Sequence, residues 1–541
     1  FCNKIYLTDD NPRKENPKKI RLSIKSKINK LKLYEIPSRE KAIKEAIKNL
    51  STGEILVVAG KGHENVQDYG NSKKFFSDKK CILKNIKQKN KHLSKDLKLN
   101  ILKEESQQNH FSLKIKLRQA SINSKKIKKN DIFFAIKGKR RDGNLYLREV
   151  FSKKASLAIV NKIDKSEKKS KQVKVKNTLS FLTKTSSKVR ENSLAKIIAI
   201  TGSCGKTSLK ELIGTTLNKF CHVTYSPKSF NNKFGVPLSL FNLNQKDDFG
   251  VFEVGMDKKG EIDTLTKIIR PDVGVITNIS YAHIKNFKNL KQIALAKSEI
   301  INNIVRGGSI VLNADDRFYK FHHKMALRKK LKVYSFSINK KNATVRLNSI
   351  KKEKSKFKVI ININNQKKYF FISSNFENNV KNLLAAVTVI SIFKDIKTLN
   401  KNIFFDYRIP HGRGDLSKIK INRKNILLID ESYNSNPLSL RSSIKNFDLI
   451  NSKSNQKHLI LGDMLELGEH SKRLHLKMSN VINSSSINNV HVFGKYIRET
   501  YKNIHKKKKG LILNEISQII DLIKNNINNN DYLMIKGSNA T

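Results

Sequence analysis

Ile197-Ile198-Ala199-Ile200-Thr201-Gly202-Ser203-Cys204-Gly205-Lys206-Thr207 is an apolar, largely β-branched run that ends in two glycines, a lysine and a threonine. A helix-forming stretch, Ser208 to Leu217, follows. The pattern predicts a buried strand, a tight turn and a helix N-terminus. Glycines let backbone N–H groups close on phosphate oxygens, and the helix dipole favours the anion. Gly202, Ser203, Cys204, Gly205 and Ser208 would then cradle phosphates. Lys206 would reach the β/γ-phosphates and Thr207 would ligate Mg²⁺. The usual loop of this kind has a glycine where Ile200 stands, so this is a shortened form, Gly-x-x-Gly-Lys-Thr. Alone, it is also compatible with a Gly-rich turn between a core strand and a helix.

Two further strand ends belong with it. Glu253 closes the apolar run that begins at Phe249, and His283 follows the run that begins at Val273. Ligands of open α/β sheets gather at the carboxyl ends of strands, so the loop, Glu253 and His283 are expected at one crevice. A carboxylate beside Thr207 suits a hard cation that holds phosphates. Taken singly, Glu253 reads equally as a solvated strand end and His283 as a loop histidine bonded to backbone.

The 541 residues are enough for several domains with real cores. Lys and Arg number 109 against 45 Asp and Glu, a net charge of +64 that points towards an anionic partner such as nucleic acid. The lysines, however, are spread along the whole chain with abundant Asn and Ile, so no specific nucleic-acid partner is expected. Four cysteines, Cys2, Cys81, Cys204 and Cys221, form no C-x-x-C pair, which suits a reducing compartment. No secretory signal and no membrane-spanning run is evident. A chain that starts at Phe1 and stops just after Lys536-Gly537-Ser538 reads as truncated at both ends.

Strand and helix patterns alternate from 196 to about 400 and again from 400 to 541. The fold class expected is therefore α/β, with a mostly parallel sheet and helices on both faces. Residues 1–85 read as a small α/β unit with a strand at 4–7, a helix at 39–50 and a buried strand at 54–59. Residues 86–110 read as a polar linker, 111–160 as short strands with a helix around 145–154, and 161–176 as a charged bridge.

Several motifs carry a resemblance to a known family. After the loop come Phe230-Asn231-Asn232, Gly235-Val236-Pro237, Glu253-Val254-Gly255-Met256, Asn278 to His283 and Ala296-Lys297-Ser298-Glu299. Further on stand Asp430-Glu431-Ser432-Tyr433-Asn434-Ser435-Asn436-Pro437, Leu461-Gly462-Asp463-Met464-Leu465-Glu466-Leu467-Gly468 and Lys536-Gly537-Ser538. In this order they resemble the Mur ligases over about residues 93–541, and best those that join D-alanyl-D-alanine to UDP-N-acetylmuramoyl-tripeptide. The resemblance implies an N-terminal UDP-sugar-binding α/β domain at 111–190, a central P-loop ATPase domain at 191–400 and a Rossmann-like C-terminal ligase domain at 401–541.

What the resemblance implies is an ATP-dependent amide ligase of cytoplasmic peptidoglycan synthesis, working through an acyl phosphate. ATP would be held by Lys206 and the loop, with Asn379 and Asn382 on the adenine side, Arg413 at the hinge and Asp430 beyond it. Two Mg²⁺ ions are implied, with Thr207 and Glu253 on one and His283 on the other. Lys297 stands where the family carries a carbamylated lysine, whose carboxylate would touch the metal site. Without the resemblance Lys297 is an ordinary helix lysine. Ser124, Asn231, Asn232, Tyr433, Asn434 and Asn436 would face substrate. The UDP-sugar segment departs from the family pattern at Asn123, Lys125 and Asn144, where Asp, Arg and His are expected, which leaves the uridine contacts open. Other peptidoglycan-synthesis enzymes are the partners the resemblance suggests.

Residues 1–85 resemble something else. Asp9-Asp10-Asn11-Pro12-Arg13 and Gly60-Lys61-Gly62-His63-Glu64 are similar to the C-terminal domain of the preceding Mur ligase, which adds meso-diaminopimelate. Arg13 would pair with the amino acid's carboxylate and Glu64 with its distal ammonium, assisted by Asp10, Asn11 and Gly60. The chain is thus expected to be a piece of a fusion of two consecutive enzymes. Competing readings are another amide ligase of the same fold, such as folylpolyglutamate synthase, and a basic nucleic-acid-binding NTPase.

Overall fold

The computed structural model describes residues 2–28, 32–50, 54–62, 64–90, 96–108, 110–111, 115–138, 141–364, 366–421, 423–450 and 455–538. Its contacts divide the chain into two units, Phe1–Phe181 and Leu182–Thr541.

In the larger unit, strand Lys196–Thr201 is central because its residues from Ile197 to Ile200 are fully buried. A run apolar on both faces belongs in a covered parallel sheet. Strand Phe249–Glu253 pairs with it on one side and Val273–Ile276 on the other, both parallel. The register sets Glu253 opposite Ile200 and Ile276 opposite Thr201, so three strand ends finish at one level. Ile198, Ile200, Val251, Val273, Val275 and Val311 share a core with residues of helices Lys206–Leu217 and Glu377–Ser391. Helices Gly235–Phe241, Glu261–Ile269 and Leu290–Asn302 also pack against these strands.

The sheet has nine strands, and its far edge departs from simple alternation. Val345–Glu353, Lys356–Ile363 and Gln366–Ile372 form an antiparallel meander that extends the parallel part. Their lysine-rich outer faces hide the period-2 signal. A second sheet of six strands follows. Strand Asp415–Ile421 is its antiparallel edge, and the remaining strands, from Lys424–Glu431 to Tyr532–Lys536, run parallel. Ile426, Ile460, Leu513, Leu522, Ile527 and Leu533 form its core.

The smaller unit holds a four-stranded parallel sheet from Ala120–Ser121 to Gln172–Lys174, with Ile132–Phe134 and Leu157–Val160 buried at its centre. Before it, strand Lys4–Leu7 pairs in parallel with Lys32–Glu35 and helix Arg39–Asn49 follows. The strand expected at 54–59 does not form. Leu56 and Val58 pack inward, but Ile55 and Val57 are exposed and no described strand pairs with the segment. The linker expected at 86–110 is also corrected. Helices Asp78–Asn90 and Leu97–Ser106 occupy most of it, while residues 91–95 and 109 lie outside the described set. Asp96 caps the second helix by accepting from the N–H of Lys98, and Leu99, Ile101 and Leu102 are buried. Four apolar residues, Leu97 among them, give this short helix a face to bury despite its polar surroundings. The charged bridge at 161–176 likewise contains the edge strand Gln172–Lys174. No helix among the described residues is long and apolar enough to cross a membrane.

Candidate active site

The turn after strand Lys196–Thr201 builds the site. Gly202 has φ +145° and Gly205 +81°, both in the region that favours glycine. A side chain at Gly202 would collide with Thr277, so the close approach of two strand ends requires glycine there. Helix Lys206–Leu217 starts immediately, with its free N–H groups at the turn. Lys206 Nζ donates to the carbonyl of Gly202 at 2.9 Å, which keeps the ammonium over the loop.

Thr207 Oγ1 donates to Glu253 Oε2 at 2.6 Å and lies 3.2 Å from Ser229 Oγ. Glu253 Oε1 accepts from Asn231 Nδ2 at 2.7 Å. Glu253 is 1% exposed, so this is a buried carboxylate held by hydroxyl and amide donors. The carboxylate of Glu253 and the hydroxyl of Thr207 are oxygen donors that fit a hard divalent cation of the magnesium type, which these two residues would hold. Asn232 serves the local turn instead, accepting from the N–H groups of Phe234 and Gly235.

A crevice of about 270 Å³ opens over these groups. One wall carries Cys204 to Ser208, Glu253, Asn278 and His283, and another carries Asn379 and Asn382. The C-terminal lobe supplies Arg413, Glu431, Tyr433, Asn434, Asn436 and Lys536. The Arg413 guanidinium lies 4.0 Å from the centre of the Tyr433 ring and donates to Ser229 Oγ at 3.1 Å. Asn436 caps helix Pro437–Asp448 and also contacts Cys204 Sγ at 3.1 Å. Most of the residues named from the sequence for this site thus line one crevice, while Asn232, Lys297 and Asp430 do not.

Four details differ or are new. Asp430 does not line the crevice; its carboxylate accepts from the N–H and Oγ of Ser432, and neighbouring Glu431 faces the cavity instead. Lys536, 2% exposed, donates to Glu431 Oε2 and to the carbonyl of Asn434, which secures the Tyr433–Asn434 turn. Lys210 is fully buried, and its ammonium bonds the carbonyls of Ser226 and Lys228, fixing the approach to Ser229 and Asn231. Its position four residues after Lys206 was the available signal. His283 Nδ1 lies 2.6 Å from Glu466 Oε2 and 3.2 Å from Asp257 Oδ1, so its nearest carboxylates are these two and not Glu253.

Lys297 sits on helix Leu290–Asn302 and is 1% exposed. Burial, together with the charge of Lys206, holds its amine well below the usual lysine range. Burial likewise pushes the Cys204 thiol up.

In the smaller unit, Ser124 is buried on a short 3₁₀ turn capped by Asn123. Asn144 lies on a separate 3₁₀ turn, Gly143–Tyr146, accepting from the N–H of Asn161 and donating to Asp142. Asn11 joins the two N-terminal motifs, donating to Glu64 Oε2 at 2.6 Å and accepting from the N–H of Asp68. Gly60 has φ +106° and lies against Asp10, while Arg13 is exposed at φ +52°. His63 lies outside the described residues.

Comparison with known proteins adds the following. The family described as the Mur ligase middle domain matches residues 200–390. The Mur ligase, glutamate ligase domain matches twice, at 1–62 and at 417–539. The UDP-N-acetylmuramoyl-tripeptide–D-alanyl-D-alanine ligase of Rickettsia prowazekii is 32% identical over 436 residues, covering 79% of this chain and 94% of that protein. The enzyme of the same name from Buchnera aphidicola subsp. Baizongia pistaciae is 31% identical, covering 78% and 89%. Among solved structures, MurF from Acinetobacter baumannii shares the fold with a TM-score of 0.69 at 24% identity, covering 82% of this chain and 96% of that one.

Proposed function

The chain belongs to the Mur ligase family, and from that premise we propose that it joins D-alanyl-D-alanine to UDP-N-acetylmuramoyl-tripeptide, driven by ATP. The observation that carries the reading is the shared crevice. A phosphate-binding turn on one lobe faces Arg413, Tyr433, Asn434 and Asn436 on the other. A carboxylate is a poor electrophile towards an amine. Transfer of the γ-phosphoryl group to the tripeptide's terminal carboxylate gives an acyl phosphate and ADP. The amine of D-alanyl-D-alanine then attacks the acyl carbon, phosphate leaves, and the amine's proton passes to solvent or base. Lys206 and the loop N–H groups stabilise charge on the transferred phosphoryl group. Closure of the lobes excludes the water that would hydrolyse the acyl phosphate. Asn379 and Asn382 border the adenine side.

Mg²⁺, when bound at Thr207 and Glu253, neutralises phosphate charge; His283 is the residue through which a second ion would be held. We assign Lys297 a carbamate. CO₂ adds only to a neutral amine, and the buried Lys297 amine loses its proton far more readily than an exposed one. A reaction that draws on ATP and a nucleotide-linked precursor belongs in the cytoplasm. ADP release that requires the UDP-linked tripeptide, with D-alanyl-D-alanine converting ADP release into amide product, tests the assignment. Activation by folate instead would favour folylpolyglutamate chemistry, and activation by nucleic acid with steep salt dependence would favour the NTPase reading.

A second reading concerns the N-terminal copy of the ligase domain. The bond from Asn11 to Glu64 brings its two motifs together, which favours a remnant of the diaminopimelate-adding enzyme. Binding of meso-diaminopimelate that is lost on Arg13→Ala tests it.

A further inference from the structure

We propose that Glu466 is a positioning residue for ligation, a carboxylate of the C-terminal lobe that sets the His283 loop of the central lobe when the two come together. The proposal rests on the ligase reading above. Glu466 belongs to the motif Leu461 to Gly468, whose conformation is fixed within its own lobe. Asp463 accepts from the N–H groups of Lys495 and Ile497. The N–H of Met464 donates to His475 Nε2, and that of Leu465 to Ser538 Oγ. Glu466 itself stands at φ +63°, an uncommon backbone for a non-glycine residue, at the tip of this braced loop.

From there it reaches the central lobe by side chain and backbone together. Oε2 lies 2.6 Å from His283 Nδ1, Oε1 lies 3.6 Å from Lys285 Nζ, and the N–H of Lys285 donates to the Glu466 carbonyl at 3.1 Å. Gly468 packs against Lys285, and the Tyr281 ring meets His470 edge-on at 6.5 Å. The receiving loop has reason to need such support. His283 is itself in the left-handed region at φ +59° and borders the crevice. A backbone held there persists only where its surroundings over-determine it. Asp257 supplies a hold from within the central lobe, and Asn286 Nδ2 donates to its carbonyl. Glu466 supplies the hold that depends on the other lobe. An isolated exposed ion pair is worth little. Here the carboxylate is accompanied by a backbone hydrogen bond and a packed glycine, so it acts as part of a docking surface. His283 thus takes its working orientation only once the C-terminal lobe has arrived.

The test uses E466A and E466Q in the whole protein, alone and combined with H283A. Hydrogen exchange of residues 279–287 reads the loop without reference to activity. E466A should speed exchange there and lower kcat by about 10- to 100-fold, as loss of an outer support of a site residue does. KM for ATP should change by less than about threefold, because the phosphate turn is untouched. E466Q, which keeps an acceptor oxygen, should recover part of kcat. Adding E466A to H283A should cost no more than about twofold, since both changes remove one linkage. Unchanged exchange at 279–287, kcat within about twofold of the parent, or full additivity with H283A would each overturn the proposal. If the parent protein shows no tripeptide-dependent ADP release, the ligase reading fails, and the exchange result still decides whether Glu466 holds the loop.

Discussion

Acid should loosen the C-terminal sheet through one buried histidine pair, and the size of the effect follows from its wiring. His458 and His491 are 3% and 4% exposed, and their rings stack at 5.7 Å on neighbouring strands. His491 Nδ1 accepts from the N–H of Leu511 at 3.0 Å, so it cannot carry a proton without losing that bond. His491 Nε2 meets His458 Nδ1 at 3.4 Å, and His458 Nε2 faces Asp531 at 3.5 Å. This relay assigns the neutral Nε2–H form to both rings. Burial first, and the neighbouring ring second, lower the His491 pKa from 6.5 to about 4. The unfolded chain therefore binds the proton more tightly than the folded one. The contribution is fully present above about pH 6.5 and is lost as pH falls towards 4. At about 1.4 kcal/mol per unit, the loss from this one group between pH 7.5 and pH 5 comes to about 2 kcal/mol. Native-state hydrogen exchange of strands Lys457–Gly462 and Asn489–Phe493 measures it locally, free of the other domains. His491→Asn keeps an acceptor for Leu511 and removes the titration. The parent's opening free energy should fall by about 2 kcal/mol more than the variant's across that range. Parallel pH curves, within about 0.5 kcal/mol, would refute the argument.

Lys206→Ala should leave the fold intact and lower ligation by about two to three decades, and near-normal activity in a folded variant would remove the phosphate role. Lys297→Ala should be nearly inactive, with acetate or formate restoring part of the rate and CO₂-depleted buffer slowing the parent; full activity would make Lys297 a packing residue. Glu253→Gln should raise the Mg²⁺ concentration needed for half-maximal Mg·ADP binding, measured by calorimetry, because it removes the charge beside Thr207 and keeps the shape.

The central site was legible because its residues sit at strand ends, and strand ends follow from apolar runs. Ile197–Ile200, Phe249–Phe252 and Val273–Ile276 are recognisable by composition, and parallel register then brings Gly202, Glu253 and Asn278 together. The antiparallel meander at 345–372 was not legible, since lysines on its exposed face break the apolar rhythm. Helix Leu97–Ser106 was missed because the surrounding Lys, Asn and Gln outweigh four apolar residues in any window. Side-chain direction was beyond a one-dimensional reading. Asp430 and Glu431 are adjacent on a strand, so one must face away from the crevice, and only the register tells which.

Three separate motifs of the C-terminal lobe return to the central lobe, and their arrangement has a consequence for catalysis. Arg413 reaches Ser229, Asn436 reaches Cys204, and Glu466 reaches His283. Three contacts at separate points restrain the orientation of one lobe on the other more than any one of them does. Each contact also lands on a different part of the reaction centre: the residue beside Thr207, the phosphate turn, and the His283 loop. A lobe that engages only two of them would leave the third segment unsupported and the crevice open to water along that side. ATP can bind the central turn before this happens, because Lys206, Thr207 and Glu253 belong to one lobe. On the proposed mechanism, the residues that would face the acyl phosphate come from both lobes, so that step calls for the contacts between them. The weak individual bonds are then an advantage, since an opening lobe has to break each of them to release product, and a stronger latch would slow that step.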